Sequence, residues 1–333
     1  MTQAAMESPV SIPQEHLARA GQIVQALQAQ VERAFLGQPE VVRQVLAALL
    51  AGGHVLIEGV PGLGKTLLVQ ALARTFGGTH ARIQFTPDLM PADVTGHTLY
   101  DPPIAQFVTR RGPVFANLLL ADEINRAPAK TQSALLEVMQ EAQVTIEGQG
   151  YKLDPPFMVL ATQNPVEQEG TYALPEAQLD RFLLKILIDY PDHEGELRIL
   201  KQITGGRVAD RLEVDQVQTV VQPAVLVRLQ QLTAQLAIDE RVYEYALRIV
   251  RQTRSFGGIA LGAGTRGAIA LIRAARASAL LDGRGFVTPD DVKRMALPAL
   301  RHRIAASPDL AIEGHTPDMI LTELLDKTEA PRL

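Results

Sequence analysis

The run Gly59-Val60-Pro61-Gly62-Leu63-Gly64-Lys65-Thr66 lies between a predicted strand at 55–58 and a predicted helix. This spacing of glycines before Lys-Thr indicates a phosphate-binding loop, and a strand before it and a helix after it are the context that supports this interpretation. Glycines let backbone N–H groups turn toward phosphate oxygens, while the helix directs its positive end at them. We therefore predict a nucleotide-binding site in which Lys65 neutralises the β- and γ-phosphates. Its predicted residues are Gly59, Pro61, Gly62, Leu63, Gly64, Lys65, Thr66 and Leu67.

Polar side chains follow two of the later predicted strands. The apolar run 118–121 ends in Asp122 and Glu123, and the strand predicted at 157–163 is followed by Asn164. Because parallel strands end at the same edge of a sheet, these groups are expected beside the phosphate loop. We predict that Thr66 and Asp122 bind Mg²⁺, that Glu123 acts as the general base toward water, and that Asn164 hydrogen-bonds the γ-phosphate or that water.

Strand and helix patterns alternate between residues 54 and 190. Core strands are predicted at 55–58, 82–85, 118–122, 157–163 and 183–188, and the helical stretches between them indicate a parallel sheet with crossover helices. Two segments interrupt this alternation, 91–113 and 144–156, and we predict that both are inserted hairpins. From 191 to 333 the spacing of apolar residues predicts helices alone.

Length and composition narrow the class of protein. A chain of 333 residues is long enough for two domains, and its hydrophobic fraction of 47% is ordinary for a globular protein. The net charge of −5 argues against wholesale coating of nucleic acid, and the lack of cysteine excludes disulfides and thiolate zinc sites. The first residues lack the basic start and apolar core of a secretory signal, and no apolar run approaches the roughly 20 residues that span a bilayer. We therefore expect a cytoplasmic location without a membrane span.

With these motifs assembled, the chain resembles the MoxR family of AAA+ ATPases, in the group that carries a hairpin inserted in the second core helix. The resemblance covers nearly the whole chain. It is carried by the phosphate loop together with Leu36-Gly37-Gln38, Ala121-Asp122-Glu123-Ile124-Asn125-Arg126-Ala127, Ala161-Thr162-Gln163-Asn164-Pro165, Glu169-Gly170-Thr171-Tyr172 and Leu174-Pro175-Glu176-Ala177-Gln178-Leu179-Asp180-Arg181-Phe182.

The resemblance implies a five-stranded parallel α/β core followed by an all-α lid, with ATP and Mg²⁺ at their junction and subunits assembled into a ring, typically a hexamer. The implied division is a polar leader at 1–14, the core at 15–190 and the lid at 191–333. Arg181 is similar to the arginine finger, which stabilises charge on a neighbouring subunit's γ-phosphate. Arg266 is similar to the sensor 2 residue of the lid, although Gly264-Thr265 precedes it where the family commonly has Ser-Pro.

The same resemblance implies a chaperone-like role, in which other proteins are remodelled or matured, often with insertion of a metal or cofactor. Family members commonly have a partner with a von Willebrand factor A domain. This chain lacks the Asp-x-Ser-x-Ser metal motif of that domain, so the partner is expected to be a separate chain.

Three other functions share parts of this pattern. A GTPase is disfavoured because no Asn-Lys-x-Asp segment is present. A DNA translocase shares the inserted hairpin, beside which Arg110 and Arg111 lie, but we favour a solvated or subunit-facing role for this pair. The ATPase subunit of a metal chelatase shares the insert and the ring, and stimulation by a tetrapyrrole-binding partner would favour it.

Overall fold

The structure is a computed structural model that describes residues 12–60, 62–164, 172–204 and 214–332. Most of the predicted leader, together with Pro61, lies outside the described residues. The described α-helices are α1 Gln14–Ala34, α2 Pro39–Leu50, α3 Lys65–Thr75, α4 Pro91–Thr95, α5 Ala129–Glu141, α6 Glu176–Leu179, α7 His193–Thr204, α8 Pro223–Gln235, α9 Glu240–Gln252, α10 Thr265–Leu281, α11 Pro289–Leu300, α12 Pro308–Ile312 and α13 Pro317–Lys327. The described strands are β1 Val55–Glu58, β2 His80–Gln84, β3 Gly96–Asp101, β4 Gln106–Arg111, β5 Leu118–Asp122, β6 Gln143–Ile146, β7 Gln149–Lys152, β8 Met158–Gln163, β9 Leu184–Leu187, β10 Ile259–Leu261 and β11 Ala305–Ala306.

Five of these strands form the central sheet, in the order β2-β5-β8-β1-β9. Every neighbouring pair runs parallel. This arrangement confirms the predicted five-stranded parallel sheet. It also means that β1, β5 and β8 end at one edge, so the phosphate loop, the two carboxylates and Asn164 follow neighbouring strands.

The inner strands β1, β5 and β8 are buried on both faces, which explains why they read as continuous apolar runs rather than alternating ones. Successive side chains of a strand point to opposite faces. Val55 and Ile57 of β1 therefore pack with α1, α2, α3 and the lid, while Leu56 packs with α5 and β6. The lid helices share the first of these clusters, so lid and core are joined by one continuous hydrophobic interior.

Two antiparallel hairpins lie in the segments predicted as inserts. β3 pairs with β4 in the first, and β6 pairs with β7 in the second. The hydroxyl oxygens of Thr109 and Tyr151 lie 3.3 Å apart, and the rings of Phe115 and Tyr151 meet edge to face with centroids 6.3 Å apart. The two hairpins are therefore in contact with each other.

The lid is helical, as predicted, but it also contains a short ladder that the sequence pattern did not indicate. β10 and β11 pair antiparallel, and strands this short carry no periodic signal. Arginine side chains of the lid donate hydrogen bonds to carbonyl groups of the core. Arg273 donates to the carbonyls of Ala51 and Gly52, and Arg303 donates to the carbonyl of Phe182 at 2.7 Å. Among the described residues, no helix is long and apolar enough to cross a membrane.

Stability is expected to fall as the pH is lowered, because His54 is partly buried and its ring is held in the neutral form. Its Nδ1 accepts the N–H of Val159 at 3.0 Å, and its Nε2 lies 2.9 Å from the carbonyl oxygen of Met139. Burial lowers the pKa of His54 from 6.5 to about 4. Below pH 6.5 the unfolded chain binds a proton that the folded chain excludes, so this stability is complete above that pH and is lost toward pH 4. When the pH is lowered from about 7 to about 5, protonation of His54 in the unfolded chain should reduce the free energy of unfolding by roughly 2 kcal/mol.

Urea unfolding across this pH range measures the effect. A His54→Gln variant, which has no imidazole to titrate, should show a shallower loss of unfolding free energy than the wild type. Parallel pH profiles for the two proteins would contradict this role of His54. Burial also holds the pKa of His302 well below 6.5, so part of the pH dependence should remain in the variant.

Candidate nucleotide site

The phosphate loop connects β1 to α3, and Lys65 is the first residue of that helix. Gly62 and Gly64 have φ values of +86° and +75°, in the left-handed region that favours glycine. Gly59 is required for a different reason, since a Cβ there would lie 2.3 Å from the carbonyl oxygen of Ile188. The Lys65 Nζ donates to the Gly59 carbonyl at 2.7 Å, so the lysine is held against its own loop.

A cleft of about 410 Å³ opens beside this loop at the carboxyl edge of the sheet. It brings together most of the predicted phosphate and magnesium residues with Glu123 and Asn164. Its lining residues are Gly62, Gly64, Lys65, Thr66, Leu67, Gln70, Arg82, Gln84, Asp122, Glu123, Thr162 and Asn164. Of the predicted loop residues, Gly59 does not line this cleft, Pro61 lies outside the described residues, and Leu63 lines a neighbouring recess instead.

Thr162 of the adjacent strand holds the carboxylate of Asp122 and the backbone of Glu123. The Thr162 hydroxyl donates to Asp122 Oδ1 at 2.6 Å and accepts the backbone N–H of Glu123 at 2.8 Å. Glu123 has φ 56° and ψ 51°, a left-handed conformation that is uncommon and strained for a residue with a side chain. Strain of this kind persists where the surroundings over-determine it, and it is frequent at functional sites.

Strand β2 contributes two cleft residues that sequence reasoning missed, Arg82 and Gln84. The Arg82 guanidinium pairs with Asp122 Oδ2 at 2.7 Å, and the Gln84 amide donates to Glu123 Oε2 at 2.6 Å. Gln84 is in register with Asp122 across the β2–β5 pair, which places it beside both acids. The only signal in the sequence was the alternation of polar residues along β2, which by itself does not identify the neighbouring strand.

The charge of Lys65 is subject to two opposed influences. Partial burial lowers the pKa of its ammonium below the ordinary value, and the negative charges of Asp122 and Glu123 raise it. Burial is the larger influence. A cation with few water contacts interacts strongly with an anion brought into the same cleft, which suits the predicted role toward phosphate.

An apolar recess of about 140 Å³ adjoins the cleft on the other side of the loop. Sequence reasoning did not anticipate it, because its walls come from the α1–α2 connection, the loop itself and the start of the lid. Its lining residues are Ala34, Phe35, Leu36, Gln38, Gly62, Leu63, Gly64, Leu67, Pro191 and Ile199. A flat, mostly apolar group joined to phosphates would fit here.

Arg181 and Arg266 lie in a second cleft, of about 340 Å³, far from the phosphate loop. This cleft also contains Gly53 and His54, which precede β1, whereas the phosphate loop follows β1. Arg266 Nη1 lies 3.7 Å from Asp180 Oδ2, and its side chain is 59% exposed. The two predicted arginines are therefore brought together with each other, and they are not brought to the cleft of Lys65.

The comparisons with known proteins agree with this architecture. A family model described as "ATPase family associated with various cellular activities (AAA)" matches residues 54–184, and one described as "AAA lid domain" matches residues 251–324. A parallel sheet with a phosphate loop after β1, two acids after β5, which is separated from β1 by β8 alone, and a helical lid define the AAA+ class of ATPases.

More specific relatives identify the family within this class. The chain is 42% identical to chaperone MoxR1 of Mycobacterium tuberculosis, over 91% of this chain and 81% of that one. It is 44% identical to the uncharacterized protein YeaC of Bacillus subtilis, over 90% and 92% of the two chains. A crystal structure of a candidate ATPase from Cytophaga hutchinsonii matches with a TM-score of 0.87 and 41% identity, over 96% and 98% of the chains. The chain belongs to the MoxR family of AAA+ ATPases, which confirms the resemblance seen in its motifs.

Proposed function

We propose that this chain binds and hydrolyses ATP at sites shared between neighbouring subunits of a ring, and that it uses the reaction to remodel or mature client proteins. The observation that carries the proposal is the separation of two clefts. Residues suited to phosphate, Mg²⁺ and water line one cleft, whereas Arg181 and Arg266 line the other. Each cleft holds part of a phosphoryl-transfer site.

In the first cleft, the chain supplies positioning groups and a base. Lys65 and the N-terminal end of α3 attract the phosphates, and Asn164, which lines the same cleft, orients the γ-phosphate or the attacking water. Glu123 accepts a hydrogen bond from water and removes its proton as attack proceeds. Its backbone is fixed by Thr162, and its Oε2 is contacted by Gln84 at 2.6 Å and by the Arg126 guanidinium at 3.3 Å, so this oxygen accepts the proton once it is released from both.

The oxygen atoms of the cleft fit magnesium. Thr66 and Asp122 offer a hydroxyl and a carboxylate, the hard donors that Mg²⁺ prefers. The part of the chain that the structure describes holds no group of three or more His, Cys, Asp or Glu residues able to bind a metal by themselves. This suits an ion that takes one or two protein oxygens and completes its shell with water and substrate phosphates. Bound there, Mg²⁺ would neutralise charge on the β- and γ-phosphates.

The apolar recess is suited to the base of the nucleotide. It shares Gly62, Gly64 and Leu67 with the first cleft, which we call the phosphate cleft, so one ligand can occupy both spaces. Leu63 and Pro191 supply apolar surface for the faces of a purine. Since Pro191 and Ile199 come from the segment that leads into the lid, binding of the base would connect the nucleotide to that segment.

The second cleft supports action of both arginines on another subunit. Gly53, which lines it, and Gly59, at the phosphate loop, stand at opposite ends of β1. At roughly 3.3 Å per residue this places them about 20 Å apart, beyond the reach of an arginine side chain. If Arg181 or Arg266 contacts a γ-phosphate, that phosphate is bound by a neighbour. The Nε atom of Arg181 is buried and has no hydrogen-bond partner among the described residues, so no hydrogen bond of the fold uses this donor.

Ring assembly and client remodelling are the parts of the proposal supported by relatives alone. AAA+ proteins typically form rings, and one relative of high coverage is described as a chaperone. We propose a hexamer that acts on a protein client, with a separate protein bearing a von Willebrand factor A domain as its partner. Arg111 stacks over Phe115 at 4.9 Å, so this arginine is engaged within the hairpin base, which does not favour the DNA-translocating alternative.

The ATPase rate, measured with Mg²⁺ over a range of protein concentrations, tests the proposal. A Lys65→Ala variant is expected to lose at least about a hundredfold in rate, because it removes a preorganised charge from the transferring phosphate. The wild-type rate per subunit should rise with concentration as shared sites form. Hydrolysis that is indifferent to Lys65→Ala would overturn the assignment of the site. Full activity at a dilution where mass measurement finds only monomer would overturn the sharing of sites.

A further inference from the structure

The tip of the first hairpin carries large apolar side chains that are half or more exposed to solvent. Tyr100 and Phe107 are directly opposite across β3 and β4, and their side chains are 51% and 76% exposed. Their rings meet edge to face, with centroids 5.4 Å apart. Ile104, in the turn between the strands, is 54% exposed. We call Tyr100, Asp101, Ile104 and Phe107 the hairpin tip.

The base of this hairpin contacts the rest of the protein, and the tip takes no part in the side-chain contacts of Thr98, Thr109 and Arg111. Thr98 and Thr109 have hydroxyls 3.5 Å apart, and Thr109 also contacts Tyr151 of the second hairpin. Arg111 lies over the ring of Phe115. The tip extends beyond these contacts, so its aromatic rings are presented on a braced strand pair. Exposed apolar clusters of this kind mark surfaces that bind a partner.

The charge of the tip indicates which kind of partner fits it. Residues 98–107 contain no lysine or arginine, and their one ionisable acid is Asp101. The turn of the second hairpin carries Glu147 and likewise no base. Arg110 lies about 10 Å along the strand from Phe107, near the screening length of physiological salt. A nucleic acid would therefore bring phosphates to an acidic, apolar surface, which is unfavourable.

We propose that the hairpin tip binds an extended segment of polypeptide that is rich in apolar residues and carries lysine or arginine near them. Tyr100 and Phe107 bury apolar side chains of that segment, and Asp101 attracts its cations. The proposal rests on the proposed function, because it assigns the contact with a client protein to these residues. It also accounts for three bulky apolar side chains that lie half or more exposed on one hairpin.

Fluorescence anisotropy with the full chain and ATP tests this contact. The probe is a labelled unstructured peptide of leucine, alanine, serine and lysine, and labelled oligothymidine is the comparison. The Tyr100→Ser/Phe107→Ser double variant should bind the peptide at least about tenfold more weakly than wild type, since buried aromatic anchors carry most of such an interface. The matched control is Ile312→Ser, which removes an apolar side chain that is 85% exposed on the lid, and it should bind as wild type does.

Basal ATPase activity without peptide separates this inference from the proposed function. Both variants should retain it, since none of the changed residues lines the nucleotide cleft. An inactive wild type would refute the proposed function. An active wild type that does not bind the peptide, or binds it equally well after the double substitution, would overturn the inference. Oligothymidine binding that depends on Tyr100 and Phe107 would also overturn it, in favour of a nucleic-acid contact.

Discussion

A Glu123→Gln variant should bind ATP with nearly the affinity of the wild type and lose at least about a hundredfold in turnover, because a positioned general base contributes on the order of 10²–10⁴ to rate. The amide keeps the size of the side chain but cannot remove a proton. Thr162 holds the backbone N–H of residue 123, and this bond does not depend on the side chain, so the strained backbone should be retained. Lys65 and Thr66 are untouched, which preserves phosphate binding.

Equilibrium binding of a fluorescent ATP analogue measures the affinity, and steady-state phosphate release measures the turnover independently. Glu137→Gln is the matched control, since it neutralises an exposed carboxylate of α5 outside the cleft and should change neither. Undiminished hydrolysis would remove Glu123 from the mechanism. Loss of ATP binding in parallel with turnover would mean that Glu123 supports the cleft rather than the chemical step.

The phosphate cleft could be predicted from the sequence because its parts are local. The loop motif carries its own strand and helix, Asp122 ends a recognisable apolar strand that Glu123 follows, and Asn164 follows another. Parallel strands end at one edge, so their meeting followed from a general rule without knowledge of strand order.

What could not be predicted depends on strand order and on long-range packing. Arg82 and Gln84 reach the acids because β2 lies beside β5, which no local pattern indicates. The apolar recess joins residues from α1 to Ile199, which are distant along the chain. Family resemblance suggested roles for Arg181 and Arg266, but only the fold shows that they line a cleft at the opposite edge of the sheet.

That separation leads to the second prediction, which is that Arg181→Ala is nearly inactive alone and regains activity when mixed with Glu123→Gln. An arginine finger contributes about 10³–10⁵ to the rate, so the single variant should lose about a thousandfold or more. In a mixed ring, some interfaces combine the intact phosphate cleft of an Arg181→Ala subunit with the intact arginine of a Glu123→Gln subunit. With equal amounts and random assembly, roughly a quarter of the interfaces should be complete.

The control mixture pairs Glu123→Gln with Lys65→Ala. Both changes damage the same cleft, so every interface stays defective and no activity should return. Lack of rescue in the first mixture, under conditions where mass measurement finds mixed rings, would mean that Arg181 serves its own subunit or none.

The same design tests whether Arg266 acts on its own subunit or on a neighbour. If Arg266 also acts across the interface, Arg266→Ala and Arg181→Ala remove groups from the same side of the interface, and their mixture should stay inactive. Rescue in that mixture would assign Arg266 to its own subunit's nucleotide, and the lid would then have to move from its present place beside Asp180.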